Sequence, residues 1–443
     1  MSPTFRSLAN PNYRKYAAGS LVSNIGTWMQ RVAQDWLILV LTGSGTALGI
    51  TTGLQFLPVL LLSPYAGVIA DRISKRRLLQ ITQASMGLAS LALGLVAVTG
   101  VAQPWHVYLI ALLFGVGSAF DAPARQAFVS EMVDGADIGN AVSLNSATFN
   151  TARILGPGLA GLMIGALGGG VEATGWVILI NAVSYVAVIG QLQRMDTAAL
   201  HSPTPLPREP GMLRAGVRYV SSQPRMVMLM IIVFFAGTFG MNFQITSALM
   251  ATEVYGLGAG EFGLIGSIMA IGSLAGSLLA ARRTRIGLRL VVVAGLGFAA
   301  ANVVAALLPA YWMFVIFVPA IGFCTITLLN SANTLLQLES DPLLRGRVMA
   351  LYMTIVMGGT PIGSPVIGWI GEEVGPRWTL VVGGLLTALG VLIGVVVHQR
   401  MARRLDPASV PVLTRPFRAS TVGSRVWASQ AVARARKGAS RSL

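Results

Sequence analysis

The side chains most capable of chemistry are acidic and basic residues inside long apolar runs. Arg31 and Asp35 lie in the first run, Asp121 and Arg125 in the fourth, and Arg153 in the fifth. A charge at the centre of a membrane helix costs about 2.5–3.5 kcal/mol on insertion scales, so such residues usually face a cavity. A carboxyl group held there can exchange a proton when its burial or its distance from an arginine changes. The two acidic residues are therefore candidates for proton exchange within a membrane.

The polar residues of the first run lie on one face of the predicted helix. They follow one another at intervals of 4, 3 and 4 residues: Asn24, Trp28, Arg31 and Asp35. At about 100° per residue, these side chains fall within a stripe roughly 60° wide. Because lipid offers no hydrogen bonds, we predict that this stripe borders a watery crevice.

Two further runs carry polar faces of the same kind. The fifth run repeats the spacing at Ser146, Asn150, Arg153 and Pro157. A face of the fourth run, nearer the cytoplasm, carries Ser118, Asp121 and Arg125. The polar and charged members of these faces are further candidates for lining a cavity.

Asp35 and Asp121 are the candidates for carrying a coupling proton. A helix that moves relative to an arginine changes the proton affinity of its carboxylate, so one state binds the proton and the other releases it. The alternative is structural, because Arg31 lies one turn from Asp35, and Arg125 one turn from Asp121, so each can form a permanent pair. The sequence leaves both hypotheses open.

Enzymatic chemistry finds little support. The three histidines, His106, His201 and His398, lie at span ends or in a linker, so the sequence holds no metal or hydrolytic constellation such as H-E-x-x-H. It also lacks the G-x-x-x-x-G-K-[ST] loop of ATP-hydrolysing proteins. The single cysteine, Cys324, rules out an intramolecular disulfide. We expect no catalytic residue, no metal and no cofactor. A non-transporting receptor or an intramembrane enzyme is the alternative from another class.

Membrane-spanning helices must position these residues. Of the 443 residues, 54% are hydrophobic and 11% are charged, whereas a soluble protein carries about a quarter charged residues. The apolar runs are long enough to cross roughly 30 Å of hydrocarbon as helices, and they do not alternate as barrel strands would. We predict an all-α membrane protein with twelve spans: 17–41, 46–66, 78–100, 105–127, 141–166, 175–193, 226–250, 261–281, 288–308, 312–335, 347–371 and 376–398.

The basic residues predict the orientation of the chain. The net charge is +16, but the basic residues lie between the apolar runs, which favours membrane topology over nucleic-acid binding. With both termini in the cytoplasm, 28 of the 32 lysines and arginines fall in cytoplasmic segments. This distribution follows the positive-inside rule for an even number of spans. We predict a multi-pass protein of the cytoplasmic (inner) membrane.

A change in composition predicts the domain boundaries. Residues 194–225 hold five prolines and five arginines, and we interpret them as a cytoplasmic linker. On either side we expect an N-terminal six-helix bundle (1–193) and a C-terminal six-helix bundle (226–398). The tail, 399–443, is basic and lacks apolar periodicity, so we expect disorder. Transient contact with anionic lipid is its functional alternative.

The two halves look distantly duplicated. With an offset of 207 residues, Gly161 falls on Gly368, and with an offset of 214, Gly49 falls on Gly263. Parallel repeats of six helices are known among transporters, where the substrate site lies between them at mid-membrane.

The loop after the second span carries a glycine, an acid and a basic run: Gly67, Asp71, Arg72, Lys75, Arg76 and Arg77. It resembles the signature loop of the major facilitator superfamily, G-x-x-x-D-R-x-G-R-[KR]. Ser74 stands where that pattern has glycine, and Lys75 where it has arginine. In the superfamily this loop latches the two halves in the outward-facing state. Asp71 would then meet a helix N-terminus of the other half, where the dipole favours an anion. The alternative is that the basic residues only orient the chain.

The fifth span contains Gly156, Pro157 and Gly161, which resemble the G-P-x-x-G motif of the antiporters of the superfamily. Such residues kink a helix and let a neighbour pack closely. The resemblance favours export over import. The structural alternative is that glycine and proline are frequent in membrane helices generally.

Two further stretches, residues 35–44 and 120–128, narrow the resemblance. Together they are similar to the drug:proton antiporter branch that holds enterobactin exporters and macrolide-efflux proteins, over about residues 5–400. The resemblance implies a fold of two six-helix bundles, in which helices one, four and five line a central cavity. It also implies secondary export of small molecules by alternating access, with proton antiport.

We therefore expect a small-molecule substrate, protons and the lipid bilayer as partners, no nucleic acid, and a monomer. A dedicated siderophore or metabolite exporter is the alternative within transport. The charge of the substrate is undecided by the sequence. An anion would suit three cavity residues, Arg31, Arg125 and Arg153, whereas a cationic drug would suit Asp35 and Asp121.

Overall fold

The structure is a computed structural model that describes residues 3–201, 212–283, 286–342 and 344–405. Within these ranges the regular structure is helical. The first half contains α1 (Pro11–Thr42), α2 (Gly45–Arg72), α3 (Lys75–Val98), α4 (Pro104–Glu131), α5 (Ile138–Ala166) and α6 (Val171–Gln193). A short helix, α7 (Met212–Ser221), lies in the predicted linker.

The second half contains α8 (Pro224–Phe235), α9 (Phe243–Leu249), α10 (Ala259–Arg282), α11 (Leu288–Leu307), α12 (Tyr311–Glu339), α13 (Arg345–Gly358), α14 (Thr360–Glu373) and α15 (Pro376–Leu405). In this half, α8 and α9 form one span, as do α13 and α14.

Ten spans in the described residues are long and apolar enough to cross a membrane. The two other predicted spans are α1 and α5, which form helices of 32 and 29 residues. They are the helices with the predicted polar stripes, and those polar residues lower their mean hydropathy. Twelve spans in all match the predicted fold class.

Two spans contain interruptions. Between α8 and α9 the backbone widens into a π-helical turn, Ala236–Gly240, and loses helical form at Met241 and Asn242. The side-chain amide of Asn242 donates to the carbonyl of Thr238 at 2.7 Å, satisfying a backbone group near the break. Between α13 and α14, Pro361 lies at the start of α14, where its missing N–H ends the preceding helix.

The most extensive contacts between the halves are those of α5 with α10 and of α2 with α14. Glycines allow the close approach of both pairs. A Cβ atom on Gly161 would lie 2.9 Å from the Cα of Gly263, and one on Gly368 would lie 3.2 Å from the Cα of Gly49. The sequence repeat relates these two contacts to each other, because Gly161 corresponds to Gly368 and Gly49 corresponds to Gly263. The repeat therefore maps the Gly161–Gly263 contact onto the Gly368–Gly49 contact. The pairing therefore gives the weak duplication a structural counterpart.

Apolar packing differs between the two ends of the molecule. We call the end where α1 begins and α15 finishes the near end, and the opposite end the far end. At the near end, one buried cluster contains only first-half residues, including Tyr16 and Phe128, and another contains only second-half residues, including Leu229 and Leu335. At the far end, a single cluster takes residues from both halves. The halves are thus packed together at the far end and separate at the near end.

Two specific contacts close the far end. The ring of Trp36 on α1 stacks on that of Phe262 on α10, with centroids 6.1 Å apart and an interplanar angle of 22°. The indole N–H of Trp36 also donates to the carbonyl of Gly169 at 2.8 Å, which fixes the ring. Nearby, the carboxylate of Glu372 accepts a hydrogen bond from the hydroxyl of Ser44 in the other half.

The predicted linker and tail lie partly outside the described residues. Residues 202–211 of the linker and residues 406–443 of the tail are outside the described residues. Helix α15 runs to Leu405, beyond the predicted boundary at 398.

Candidate functional site

A cavity of about 770 Å³ extends from the middle of the molecule to the near end. Most of its lining comes from α1, α3, α4 and α5 of the first half. The second half contributes three residues, Ser277, Ile326 and Asn330. The lining therefore follows the polar faces predicted from the sequence.

Eight residues of the predicted polar faces line this large cavity: Asn24, Arg31, Ser118, Asp121, Arg125, Ser146, Asn150 and Arg153. Trp28 instead lines a second cavity of about 280 Å³. This small cavity lies between the halves. The residues that the second half contributes to its lining include Phe243, Gln244, Met269 and Thr325. Because Arg31 and Arg153 line both cavities, they mark the place where the two spaces meet.

Arg31 lies among aromatic rings. Its guanidinium carbon is 5.0 Å from the centre of the Trp28 ring and 5.9 Å from that of Phe56, distances at which a cation is attracted to the face of a ring. The Trp28 ring makes an edge contact with Phe149 on α5, at 5.9 Å between centroids. Neither Arg31 nor Arg153 has a hydrogen-bond acceptor for its Nε atom in the described structure.

Asp35 does not lie where the stripe predicted it. Its side chain is only 2% exposed, and it lines neither of the two cavities. No ion pair with Arg31 forms, and Oδ2 of Asp35 has no hydrogen-bond donor among the described residues. This conformation therefore gives no geometric support to the structural alternative, a permanent pair with Arg31. Asp35 lies one turn beyond Arg31 along α1, where the helix is enclosed by the far-end packing.

Asp121 is held in a polar network. One carboxylate oxygen accepts from the hydroxyl of Thr82 at 3.0 Å and from the amide of Gln83 at 2.7 Å. The other oxygen lies 3.0 Å from Nε of Arg125, whose Nη1 reaches the hydroxyl of Ser20 at 3.3 Å. The network thus ties α1, α3 and α4 together at the cavity wall. It gives the structural alternative for Asp121 direct geometric support.

The predicted latch loop contacts its own half where its side chains are described. Lys75 forms an ion pair with Glu131 of α4 at 2.9 Å, and Arg76 donates to the carbonyl of Leu192 at 2.6 Å. Arg72 and Arg77 are exposed. The surroundings of Gly67 and the side chain of Asp71 are outside what the structure describes. The latch contact of Asp71 therefore stays a prediction.

The motif on the fifth span lies at two helix contacts. A Cβ on Gly156 would overlap Trp28 of α1, which places the motif behind the aromatic wall of the small cavity. From Gly158 to Gly165, α5 then faces the second half, where the hydroxyl of Ser267 on α10 accepts a hydrogen bond from the backbone N–H of Gly158 at 2.8 Å. The motif therefore positions the cavity wall on one side and joins the halves on the other.

Several polar residues at the site were missed by the sequence reasoning. Gln83 bridges Asp121 and the hydroxyl of Ser23, and a second buried cluster joins Gln30 to Ser90 and Asn181. Each is a polar residue in the middle of an apolar run. That signal alone would have found them, because buried amides require partners.

The arrangement of twelve spans, two joined halves and a polar cavity at their boundary defines a secondary transporter of the major facilitator superfamily. The sequence profile described as transmembrane secretion effector matches residues 2–425, and the protein belongs to that family.

Individual relatives and a solved structure agree with this assignment. The chain is 27% identical to the multidrug efflux pump Tap of Mycolicibacterium fortuitum, over 88% of this chain and 96% of that protein. It is 23% identical to the enterobactin exporter EntS of Citrobacter koseri, over 91% of this chain and 95% of that protein. A solved bacterial homologue of the human lysosomal transporter Spinster, inward-facing and unoccupied, superimposes with a TM-score of 0.69 at 15% identity, over 95% of this chain and 100% of that chain. The predicted resemblance to exporters of this superfamily is thereby confirmed.

Proposed function

We propose that this protein exports small molecules across the cytoplasmic membrane by alternating access, driven by proton antiport. The observation that carries the proposal is the asymmetry of the two ends. One cavity reaches the near end, while Trp36, Phe262 and the Glu372 contact seal the far end. With both termini in the cytoplasm, as the basic residues predict, the near end is cytoplasmic and the state is inward-facing. An exporter in this state accepts its substrate from the cytoplasm.

The relatives support the direction of transport. The multidrug efflux pump Tap and the enterobactin exporter EntS both align to this chain over nearly the whole of their own length. The substrate could be a range of drug-like molecules, or a single metabolite or siderophore.

Asp35 is the carboxylate that we assign to proton coupling. It is buried, it forms no ion pair with Arg31 within the described residues, and its helix α1 packs on α5 and contacts α9 of the second half. A movement of the halves therefore changes its surroundings. Asp121 is less suited, because Thr82, Gln83 and Arg125 all hold its charge within one half.

Inverted membrane vesicles test the proposal. In these vesicles the cytoplasmic face points outward, so export appears as uptake of a fluorescent dye. We expect uptake to require an imposed proton gradient for the wild-type protein. The Asp35→Asn variant should lose gradient-driven uptake but retain exchange of dye across the membrane without a gradient.

The control for this test is Glu172→Gln, which removes an exposed carboxylate at the far end whose partner among the described residues is the indole N–H of Trp176. It should transport as the wild type does. Uptake that ignores the gradient in the wild type would contradict proton antiport, and unchanged gradient-driven uptake by Asp35→Asn would remove Asp35 from the coupling role.

A further inference from the structure

Two arginines lie at the junction of the cavities, and neither forms an ion pair within the described residues. Arg31 and Arg153 line both cavities, on helices α1 and α5 that pack closely at Gly156. The described residues offer neither guanidinium a hydrogen-bond acceptor or an ion pair, and the Nε atom of each is buried. A desolvated charge without a partner is costly, which makes such a site receptive to an added anion.

The charges around the cavities point the same way. The lining of the large cavity holds Arg31, Arg125 and Arg153 against one acid, Asp121, and Asp121 is bound to Arg125. Counting these four groups leaves a surplus of two positive charges. The lining of the small cavity has the same two free arginines and no acidic residue. Asp35, one turn beyond Arg31, is enclosed by the far-end packing and faces neither space.

The remaining walls describe the rest of the ligand. Next to the arginines lie the faces or edges of Trp28, Phe56 and Phe149, and across the small cavity lie Met241 and Met269. Aromatic and methionine side chains suit a flat apolar body and adapt to its shape. A guanidinium group binds a planar carboxylate through two parallel hydrogen bonds.

We propose that Arg31 and Arg153 form an anion subsite, which binds the carboxylate of an aromatic organic anion as the transported substrate. The subsite rests on the proposed export function, and it selects one of the two substrate charges that the sequence leaves open. Trp28 and Phe56 lie 5.0 and 5.9 Å from the guanidinium carbon of Arg31, and no hydrogen-bond acceptor engages this guanidinium within the described residues, so its donors can serve the ligand.

The test uses two xanthene dyes of similar size and opposite charge, fluorescein and rhodamine 6G. Binding to the purified full-length protein is measured by fluorescence polarisation. We expect fluorescein to bind more tightly than rhodamine 6G. Arg31→Gln and Arg153→Gln should each weaken fluorescein binding by about tenfold to a hundredfold, the range for hydrogen bonds to a charged group. Arg153→Lys keeps the charge without the planar fork and should recover part of the loss.

Two controls separate this effect from misfolding and from general charge. Arg289→Gln removes an exposed arginine outside the cavities and should leave both affinities unchanged. The two cavity variants should bind rhodamine 6G at least as tightly as the wild type, which an unfolded variant would not do. The proposal is overturned if the wild type binds fluorescein no better than rhodamine 6G, or if fluorescein affinity is the same in Arg31→Gln and Arg153→Gln as in the wild type.

Vesicle uptake distinguishes failure of the subsite from failure of the export function. A protein that binds fluorescein through the two arginines but moves neither dye into inverted vesicles contradicts export and leaves the subsite standing. A protein that moves rhodamine 6G and fluorescein equally, with no effect of the arginine variants, contradicts the subsite and leaves export standing.

Discussion

Glu372 on α14 accepts a hydrogen bond from the hydroxyl of Ser44 at 2.7 Å. Ser44 is the N-cap of α2, and the backbone N–H of Thr46 donates to the same carboxylate at 2.9 Å. An anion at a helix N-terminus is stabilised by its free N–H groups and by the helix dipole. The contact therefore joins the second half to the first at the far end. Asp71, at the near end of α2, is predicted to make the equivalent contact in the opposite state.

Removing the charge of Glu372 should weaken the state that is closed at the far end. We expect Glu372→Gln to shift the balance toward far-end opening by about twofold to fivefold, because exposed ion contacts contribute at most about 1 kcal/mol. In a Cys324→Ser background, a cysteine at Asn145 in the large cavity reports on the near end. Its labelling by a membrane-impermeant thiol reagent in inverted vesicles should slow in the variant.

The neighbouring residue provides the matched control. Glu373 carries the same charge at the same exposed helix end, but no contact with the first half is found for it in the described structure. Labelling at Asn145 should be the same in Glu373→Gln as in the wild type. Equal labelling in Glu372→Gln as well would show that the Ser44 contact does not hold this state.

The glycine contact between α5 and α10 should tolerate no added methyl group. A Cβ on Gly161 would overlap the carbonyl of Ala259, so Gly161→Ala must push two helices apart, at a cost of about 1–3 kcal/mol. One turn later, Gly165 has no neighbour closer than 3.8 Å, and Gly165→Ala should be neutral. Thermal unfolding in detergent measures both variants. Equal melting temperatures for the two would contradict the packing at Gly161.

The Asp121 network predicts non-additive stability. Asp121→Asn leaves Arg125 buried without its carboxylate, and breaking a buried pair in this way costs about 3–5 kcal/mol. The double variant Asp121→Asn/Arg125→Gln removes both charges and should melt at a higher temperature than Asp121→Asn alone. The single variant Arg125→Gln completes the comparison. If the stability lost in the double variant equals the sum of the losses in Asp121→Asn and Arg125→Gln, the pair is not the dominant interaction of Asp121.

Helix-level features of the sequence predicted the fold well. Long apolar runs gave the twelve spans, and residue spacing placed Asn24, Arg31 and Arg153 at a cavity wall, because helical periodicity is a local property. The inward burial of Asp35 was not predictable. The stripe is about 60° wide along the whole helix, so residue spacing does not show where the crevice ends and the far-end packing begins. That point is set by the contact of α1 with α10, where Trp36 stacks on Phe262.

Contacts between distant segments were the least predictable part of the site. The sequence identified Lys75 and Arg76 as members of a latch, but their partners, Glu131 and the Leu192 carbonyl, are set by how α3 packs on α4 and α6. The π-helical turn at Ala236–Gly240 likewise depends on close packing, because Gly363 of α14 lies against Thr238. Neither feature leaves a periodic signal in its own segment.

The most direct test of alternating access is a reversible lock at the far end. A Ser44→Cys/Glu372→Cys variant in the Cys324→Ser background places two thiols on either side of the Ser44–Glu372 contact. Because a cysteine is shorter than a glutamate, a short bis-methanethiosulfonate reagent bridges the thiols through two reducible disulfides. After cross-linking, we predict that the protein still binds dye from the near side but takes up none into inverted vesicles, and that a reducing agent restores uptake. Full uptake by the cross-linked protein would contradict the account, because the substrate would then cross without opening the far end.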